Sequence, residues 1–370
     1  MHILFTSINF PPSNFGGIAS CMFPVIKELN DVFDINVQVL TTTYKIPKNK
    51  LPRTNCWTTY QKIPVYYSKT QKPSLSIRNY LIGFIQIVKC NQIYLNSFFY
   101  FPNLLFLIFG SILGKQIFII PHGELLAPAL INKYWKKKPY LNIVKIFHKG
   151  ISFIATSEQE SSEIGRIFPH AKVNVIPNLV VQEKRLLCDK LNHFLFLGRI
   201  TKIKRIENLI LACNISKSFK LSNYKLIIAG PTDKEFYNYE KELKQLVVKN
   251  NMTEQILFVG EVKSPQKEEL LSSTKALFVV SDSENFSNVV VESLAQGTPV
   301  VASNGTPWEV LIDTNSGFWI DNSPEKISLS MEKLIAMENE SYQKMCENAF
   351  NLSARFTKEE IIPKWLEIIK

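Results

Sequence analysis

The sequence contains no Cys-x-x-Cys pair, and its six cysteines (Cys21, Cys56, Cys90, Cys188, Cys213, Cys346) are scattered along 370 residues. Only Cys188 and His193 approach metal-ligand spacing. This excludes a zinc ribbon and a disulfide scaffold, and it predicts buried free thiols in a reducing compartment. Glycine (14) and proline (19) are too few for a fibrous or low-complexity chain. With 46% apolar and 20% charged residues, a packed protein is expected and disorder is not. Long hydrophobic runs are also lacking. The nearest approach to one, Phe98–Gly114, has 17 uncharged residues and is interrupted by Pro102 and Asn103. It lies between two strand-like runs, so it reads as a buried helix of an α/β domain and not as a membrane span. The opening MHILFTSINFPP has no basic n-region and too short an apolar run for a signal peptide. It reads as a first strand.

The length exceeds what one hydrophobic core supports, so two domains are expected. Both halves alternate short apolar strands with helices. In the first half the pattern predicts strands at His2–Ser7, Asn36–Thr41, Gln92–Asn96, Gln116–Ile120, around Ser152–Ser157 and at Lys172–Ile176. Residues 44–80 show no clear pattern. In the second half strands are expected at His193–Leu197, Lys225–Ala229, Gln255–Val259, Ala276–Val280 and Pro299–Ala302. Helix-separated strands without hairpin signals imply parallel sheets, hence two doubly wound α/β domains. The expected boundaries are 1–178, 179–352 and a terminal helix within 353–370, with a hinge near Pro177–Lys190. Ligands then bind where strand C-termini meet a crevice.

Four segments carry candidate chemistry. In SDSENFSNVVVESLAQGTPVV a strand runs into a polar loop with Glu284, and a helix from about Asn288 carries Glu292. The helix start offers N–H groups of Ser287, Asn288 and Val289 to an anion such as a diphosphate. Carboxylates cannot bind phosphate, so Glu284 and Glu292 suit hydroxyl donors, as on a sugar. In GRITKIKR, Gly198 and Arg199 follow a strand and Lys204 stands five residues on, so two cations can converge on one diphosphate. Asn14-Phe15-Gly16-Gly17 lets backbone N–H groups approach a phosphate. Pro121-His122-Gly123-Glu124 places an imidazole at a strand end. Singly, each also has an ordinary structural reading: a solvated carboxylate, a solubilising basic loop, a plain turn, a core histidine.

Together these segments resemble glycosyltransferase family 4, retaining enzymes of the GT-B fold, in which two Rossmann-like domains face each other across a cleft. Glu284 and Glu292 match the family's Glu-x7-Glu motif, followed by Ala295, Gly297 and Pro299. Gly198, Arg199 and Lys204 match its Gly-Arg…Lys motif, with four residues between the Arg and the Lys. SENFSNVVVESLAQGTPVV and GTPWEVL are similar to members that build cell-surface polysaccharides. The resemblance implies sugar transfer from a nucleotide-sugar donor (UDP- or GDP-linked) to a saccharide, with retention and without a metal or cofactor. It implies catalytic roles for Arg199, Lys204, Glu284 and His122. It places the donor against Gly16, Gly17, Gly198, Gly230, Phe286, Ser287, Asn288, Val289 and Glu292. Arg199 and Lys204 would stabilise the departing diphosphate, Glu284 would meet sugar hydroxyls, and Glu292 the ribose. Two positions depart from the family pattern. Arg205 stands where a Gly usually follows the Lys, and Pro177-Asn178-Leu179 replaces Pro-Asn-Gly.

The net charge of +11 is uneven: residues 1–180 hold 19 Lys/Arg against 7 Asp/Glu. In this family the first domain takes the acceptor, often a polyprenyl-diphosphate-linked sugar. Lys133, Lys136, Lys137 and Lys138 beside Tyr134, Trp135 and Tyr140 suit an anionic membrane surface. A cytoplasmic protein peripheral to the inner membrane is expected. Two alternatives stand beside the transferase. One is a nucleotide-sugar epimerase or phosphorylase on the same fold. The other is a basic nucleic-acid-binding protein, which leaves Glu284 and Glu292 without a role and shows no known module. No nucleic-acid partner is therefore expected.

Overall fold

The computed structural model describes residues 1–13, 16–32, 34–147 and 150–369. The chain divides into two units, Met1–Leu179 with Lys358–Lys370, and Val180–Thr357. It passes from one to the other at the start of the expected Pro177–Lys190 segment. Residues 353–357 stay with the second unit and not with the terminal helix.

The first unit is built on eight strands: β1 (His2–Thr6), β2 (Asn36–Thr42), β3 (Trp57–Tyr60), β4 (Ile63–Ser68), β5 (Gln92–Asn96), β6 (Gln116–Ile120), β7 (Ile151–Ala155) and β8 (Lys172–Val175). Their order is β3-β4-β2-β1-β5-β6-β7-β8. All neighbours are parallel except β3 and β4. That hairpin corrects the expectation of purely parallel pairing. Its two-residue turn is Gln61-Lys62, with φ of 46° and 70°. Hairpin turns of this hand usually carry Asn-Gly or Asp-Gly, so Gln61-Lys62 does not announce one.

Successive side chains of β1 enter opposite cores, as a strand covered on both faces requires. Ile3 and Phe5 join one core, Leu4 the other. On the first face Phe5, Tyr94 and Phe118 stack at 4.6 and 4.7 Å. The helices Gly16–Asn30 and Lys358–Ile369 cover them. The terminal helix buries Ile361, Trp365 and Ile369, four residues apart. Leu179, in the place of the family's Gly, is buried in the same core, so this position serves packing and not a left-handed turn. On the second face lie the helices Ile77–Lys89, Phe101–Ile112, Tyr134–Phe147 and Glu158–Ile167. Phe101–Ile112 is the buried helix expected from the apolar run. Ile77–Lys89 was not foreseen.

The second unit has six strands: β9 (His193–Leu197), β10 (Lys225–Ala229), β11 (Ile256–Gly260), β12 (Ala276–Val279), β13 (Val300–Ser303) and β14 (Gly317–Ile320). They run parallel in the order β11-β10-β9-β12-β13-β14. In chain order this is 3-2-1-4-5-6, the doubly wound dinucleotide-fold arrangement. The sheet is sandwiched between two apolar cores. The sequence reading stopped short of β14 and of the helices Pro324–Ala336 and Asn339–Ser353.

Candidate active site

In the second unit β9 and β12 are neighbours, yet the chain leaves β9 toward β10 and leaves β12 toward β13. Their following loops therefore diverge, and the crevice between them is the topological switch point. Two of the sequence motifs end there. The loop after β9 is Gly198–Arg205; the loop after β12 is Val280–Ser287.

The two loops are sewn together. The Asp282 N–H donates to the Ile203 carbonyl at 2.8 Å. Lys204 Nζ donates to Glu284 Oε1 in an ion pair whose side chains are only 20% and 14% exposed. Ser281 Oγ donates to the same carboxylate oxygen at 2.7 Å, and the Glu284 N–H donates to the Gly305 carbonyl at 3.0 Å. Arg205 adopts a left-handed φ of 49°, which explains why glycine suits this position. Here the guanidinium compensates, with Nε donating to Asp282 Oδ2 at 2.6 Å. Those bonds push its pKa further up, the Asp282 hydrogen bond most of all.

Arg199 is freer. Its guanidinium lies 3.7 Å from Asp233, and both side chains are about half-exposed. Gly198 and Gly230 close the ends of β9 and β10 side by side. Gly230 has φ +147°, and a Cβ there would fall 1.8 Å from the Gly198 carbonyl oxygen. Only glycine allows that approach.

The helix Asn288–Ala295 starts at Ser287, which is left-handed (φ 70°) and makes no side-chain cap. Its N-terminus is thus not closed by its own N-cap side chain. Phe286 turns inward, 5% exposed. It packs on Trp308 and Phe356, and the Trp308 indole N–H donates to its carbonyl. Its ring anchors the loop, leaving only backbone for a ligand. Glu292 is paired too, with Lys267 Nζ at 2.9 Å. Lys267, Asp282, Asp233 and Ser281 escaped the sequence reading. Each lies far in sequence, or in an unremarkable motif position, and only the fold brings it to its partner.

His122, Gly16 and Gly17 belong to the first unit. Gly16 and Gly17 open the helix Gly16–Asn30; Asn14 and Phe15 of that loop lie outside the described residues. His122 follows β6 in a turn where it has φ 52° and Gly123 has φ 81°. A fully buried carboxylate holds this turn. Glu160 accepts from the Gly123 N–H at 2.6 Å and from the N–H and hydroxyl of Thr156 at 2.8 and 3.0 Å. Glu124 is likewise taken up by backbone, accepting from Ser97 Oγ and from the N–H groups of Phe98 and Phe99. Burial raises its pKa against those bonds. His122 Nε2 lies 3.4 Å from Asn96 Oδ1. Desolvation lowers its pKa to about 4, so the imidazole is neutral at neutral pH.

Among the described residues no group of three or more His, Cys, Asp or Glu is arranged to hold a metal ion. The six cysteines are all unpaired by disulfides.

Residues 181–352 match the model of the family described as glycosyl transferases group 1. A Klebsiella pneumoniae relative, an uncharacterized 41.2 kDa protein in the cps region, is 25% identical over 82% of this chain and 86% of its own. The O-antigen chain mannosyltransferase RfbU of Salmonella typhimurium is 29% identical over 42% of each chain. An uncharacterized glycosyltransferase of Methanocaldococcus jannaschii is 29% identical over 45% of this chain. The chain spans only 40% of that relative's length. Among solved structures, Anabaena HepE in complex with UDP and glucose superposes with a TM-score of 0.73 at 16% identity, covering 100% of this chain and 99% of that one. At that identity the likeness shows the fold, two parallel-sheet α/β domains of the GT-B type.

Proposed function

We propose that this chain, whose residues 181–352 match the model of the group 1 glycosyl transferases, moves a sugar from a nucleoside-diphosphate donor to a saccharide acceptor. The observation that carries the reading is the meeting of Lys204 and Glu284 at the switch point between β9 and β12. A cation and a carboxylate there match the two ends of a sugar diphosphate. In the structure each compensates the other. With donor bound, Lys204 and Arg199 face the diphosphate, and Glu284 accepts hydrogen bonds from sugar hydroxyls. Glu292 accepts from the ribose, and the start of the helix Asn288–Ala295 adds N–H groups to the phosphates.

The bond from the anomeric carbon to the diphosphate oxygen breaks as a bond to the acceptor oxygen forms on the same face. The leaving phosphate takes the acceptor's proton, so configuration is retained without a protein base. Arg199 and Lys204 neutralise the charge that grows on the diphosphate, the work a metal ion does elsewhere. His122 is neutral and held in its turn, which suits a hydrogen-bonding role toward sugar hydroxyls.

RfbU is named for an O-antigen chain, and this supports an acceptor of the surface-polysaccharide class; we further propose that a polyprenyl diphosphate at the cytoplasmic face of the inner membrane carries it. The UDP in the HepE complex supports a uridine donor. A thermal-shift screen of UDP- and GDP-sugars, followed by product analysis with and without acceptor, tests the reading. A specific donor should raise the melting temperature by mass action, and sugar should appear on the acceptor with its configuration kept. An epimerised free nucleotide sugar, or an absolute need for added divalent metal, would overturn it.

A further inference from the structure

The helix Ile77–Lys89 is apolar on more than its packed side, where Tyr80, Ile82 and Phe84 meet the second core. Toward the sheet it turns Asn79, Gly83 and Gln86 along with Ile87. A Cβ at Gly83 would fall 2.3 Å from the Phe106 ring, so the helix sits close on Phe101–Ile112. Asn79 is satisfied inside, accepting from Ser68 Oγ at 3.1 Å and donating to the Tyr100 hydroxyl at 3.3 Å. The outward face carries Ile77, Leu81, Ile85 and Val88, which are 72%, 57%, 48% and 57% exposed. The other exposed residues of the helix are Arg78 and Lys89. A helix at a water surface turns polar residues outward, and a continuous aliphatic stripe marks an interaction face. The stripe does not end with the helix. Lys115 Nζ donates to the carbonyls of Val88 and Cys90 at 2.9 and 2.7 Å, which brings the exposed Ile112 and Leu113 beside its C-terminal end.

Charge identifies the occupant. From residue 36 to residue 157 the chain has 16 Lys/Arg and a single carboxylate, Glu124. That carboxylate is turned inward onto the backbone of Phe98 and Phe99. A second copy of the chain would press two cationic rims together. A nucleic acid would meet the cations and leave the aliphatic stripe in water. A bilayer with anionic headgroups meets both demands. Its interface takes up apolar side chains, and each nearby cation adds attraction to the anionic headgroups. No helix among the described residues is long and apolar enough to cross a membrane, so the contact is one of lying on the surface.

We infer that the outer face of Ile77–Lys89 is a docking surface for an anionic lipid bilayer, with Ile77, Leu81, Ile85 and Val88 at acyl-chain level and Arg78 and Lys89 at the headgroups. The surface sits on a different helix from the Lys133–Lys138 run that the sequence singles out. The inference stands apart from the transferase reading, because its test contains no sugar donor.

The full chain is sedimented with vesicles of phosphatidylcholine alone and of phosphatidylcholine mixed with phosphatidylglycerol, at low and high salt. The wild type should bind the mixed vesicles roughly tenfold more tightly or better, and salt should weaken that binding. Leu81→Glu combined with Ile85→Glu should abolish most of it without lowering the melting temperature. Leu81→Gln, which adds no charge, is the second variant and should weaken binding to both vesicle types. Equal binding to the two vesicle types overturns the inference, as does undiminished binding by the folded variants. So does a wild-type dimer in the ultracentrifuge that the double variant splits, since the occupant is then a second copy.

Discussion

Lys204 and Glu284 are 80 residues apart in the chain and form one ion pair, because the strands that precede them are adjacent in the sheet. Both side chains are largely shielded from water. In such a place a lone charge is costly, and an incoming ligand must replace what each partner loses. The pair is therefore both a structural link between the two loops and the receptive point of the site.

This pair makes the first prediction. Lys204→Ala should lower turnover by about 10²-fold or more, as loss of a leaving-group stabiliser does. It should also lower stability, since Glu284 is left half-buried without its cation. Lys204→Met with Glu284→Leu should recover the stability and not the turnover. A double-mutant cycle followed by melting and by kcat separates the two effects. Additive losses in kcat would show that the residues act independently.

Arg199 should behave differently. Its ion pair with Asp233 is long and solvated, and such pairs contribute about 0–1 kcal/mol. Arg199→Lys should leave the melting temperature unchanged while kcat falls, because a point charge cannot reproduce a planar fork of donors on a diphosphate. Wild-type kcat in the folded variant would remove Arg199 from the mechanism.

At Gly230 a methyl group has nowhere to go. Its Cβ would overlap the Gly198 carbonyl oxygen, and φ there is outside the range of other residues. Gly230→Ala should cost more than about 2 kcal/mol and displace the Gly198–Arg205 loop. Denaturant melts measure the first effect. Donor affinity from a thermal-shift titration measures the second.

His122 gives a pH prediction. Its ordinary pKa of 6.5 falls to about 4 in the folded protein through desolvation. Between those values the unfolded chain binds a proton that the folded chain refuses. Stability should therefore fall as pH drops from about 6.5 to 4, by about 1–3 kcal/mol for this group, and be unaffected by it at higher pH. His122→Gln should flatten that limb of the stability curve. The kcat/KM profile of the wild type should show no step near pH 6.5 from this residue; an imidazole titrating near 6.5 by NMR would refute the buried, neutral assignment.

Much of the second unit was readable from sequence because its strands are short apolar runs separated by amphipathic helices, and its motifs sit at their ends. Glu284 and the start of the helix at Asn288 follow from that local pattern alone. The first unit was less readable. The hairpin turn Gln61-Lys62 uses residues that do not announce a left-handed turn. The helix Ile77–Lys89 carries a second, exposed apolar stripe beside the one that packs on the core. Periodicity without knowledge of the neighbours cannot say which face is buried. Phe286 was placed at the donor for its position in the motif, and the packing against Trp308 and Phe356 turns its ring away.

The order of residue types along the chain was enough to specify alternating strands and helices, two sheets parallel but for the β3–β4 hairpin it did not reveal, and which residue types stand at strand ends. Those are local properties, set by spacing and by backbone preference. Which strand ends become neighbours is decided only when the sheet assembles, since strand order is a long-range choice. That choice brings Lys204 to Glu284, Lys267 to Glu292, and Glu160 to the turn of His122. It also leaves one aliphatic helix face without a protein partner. Pairings of charge and exposure depend on distance in space, and the sequence records only distance along the chain.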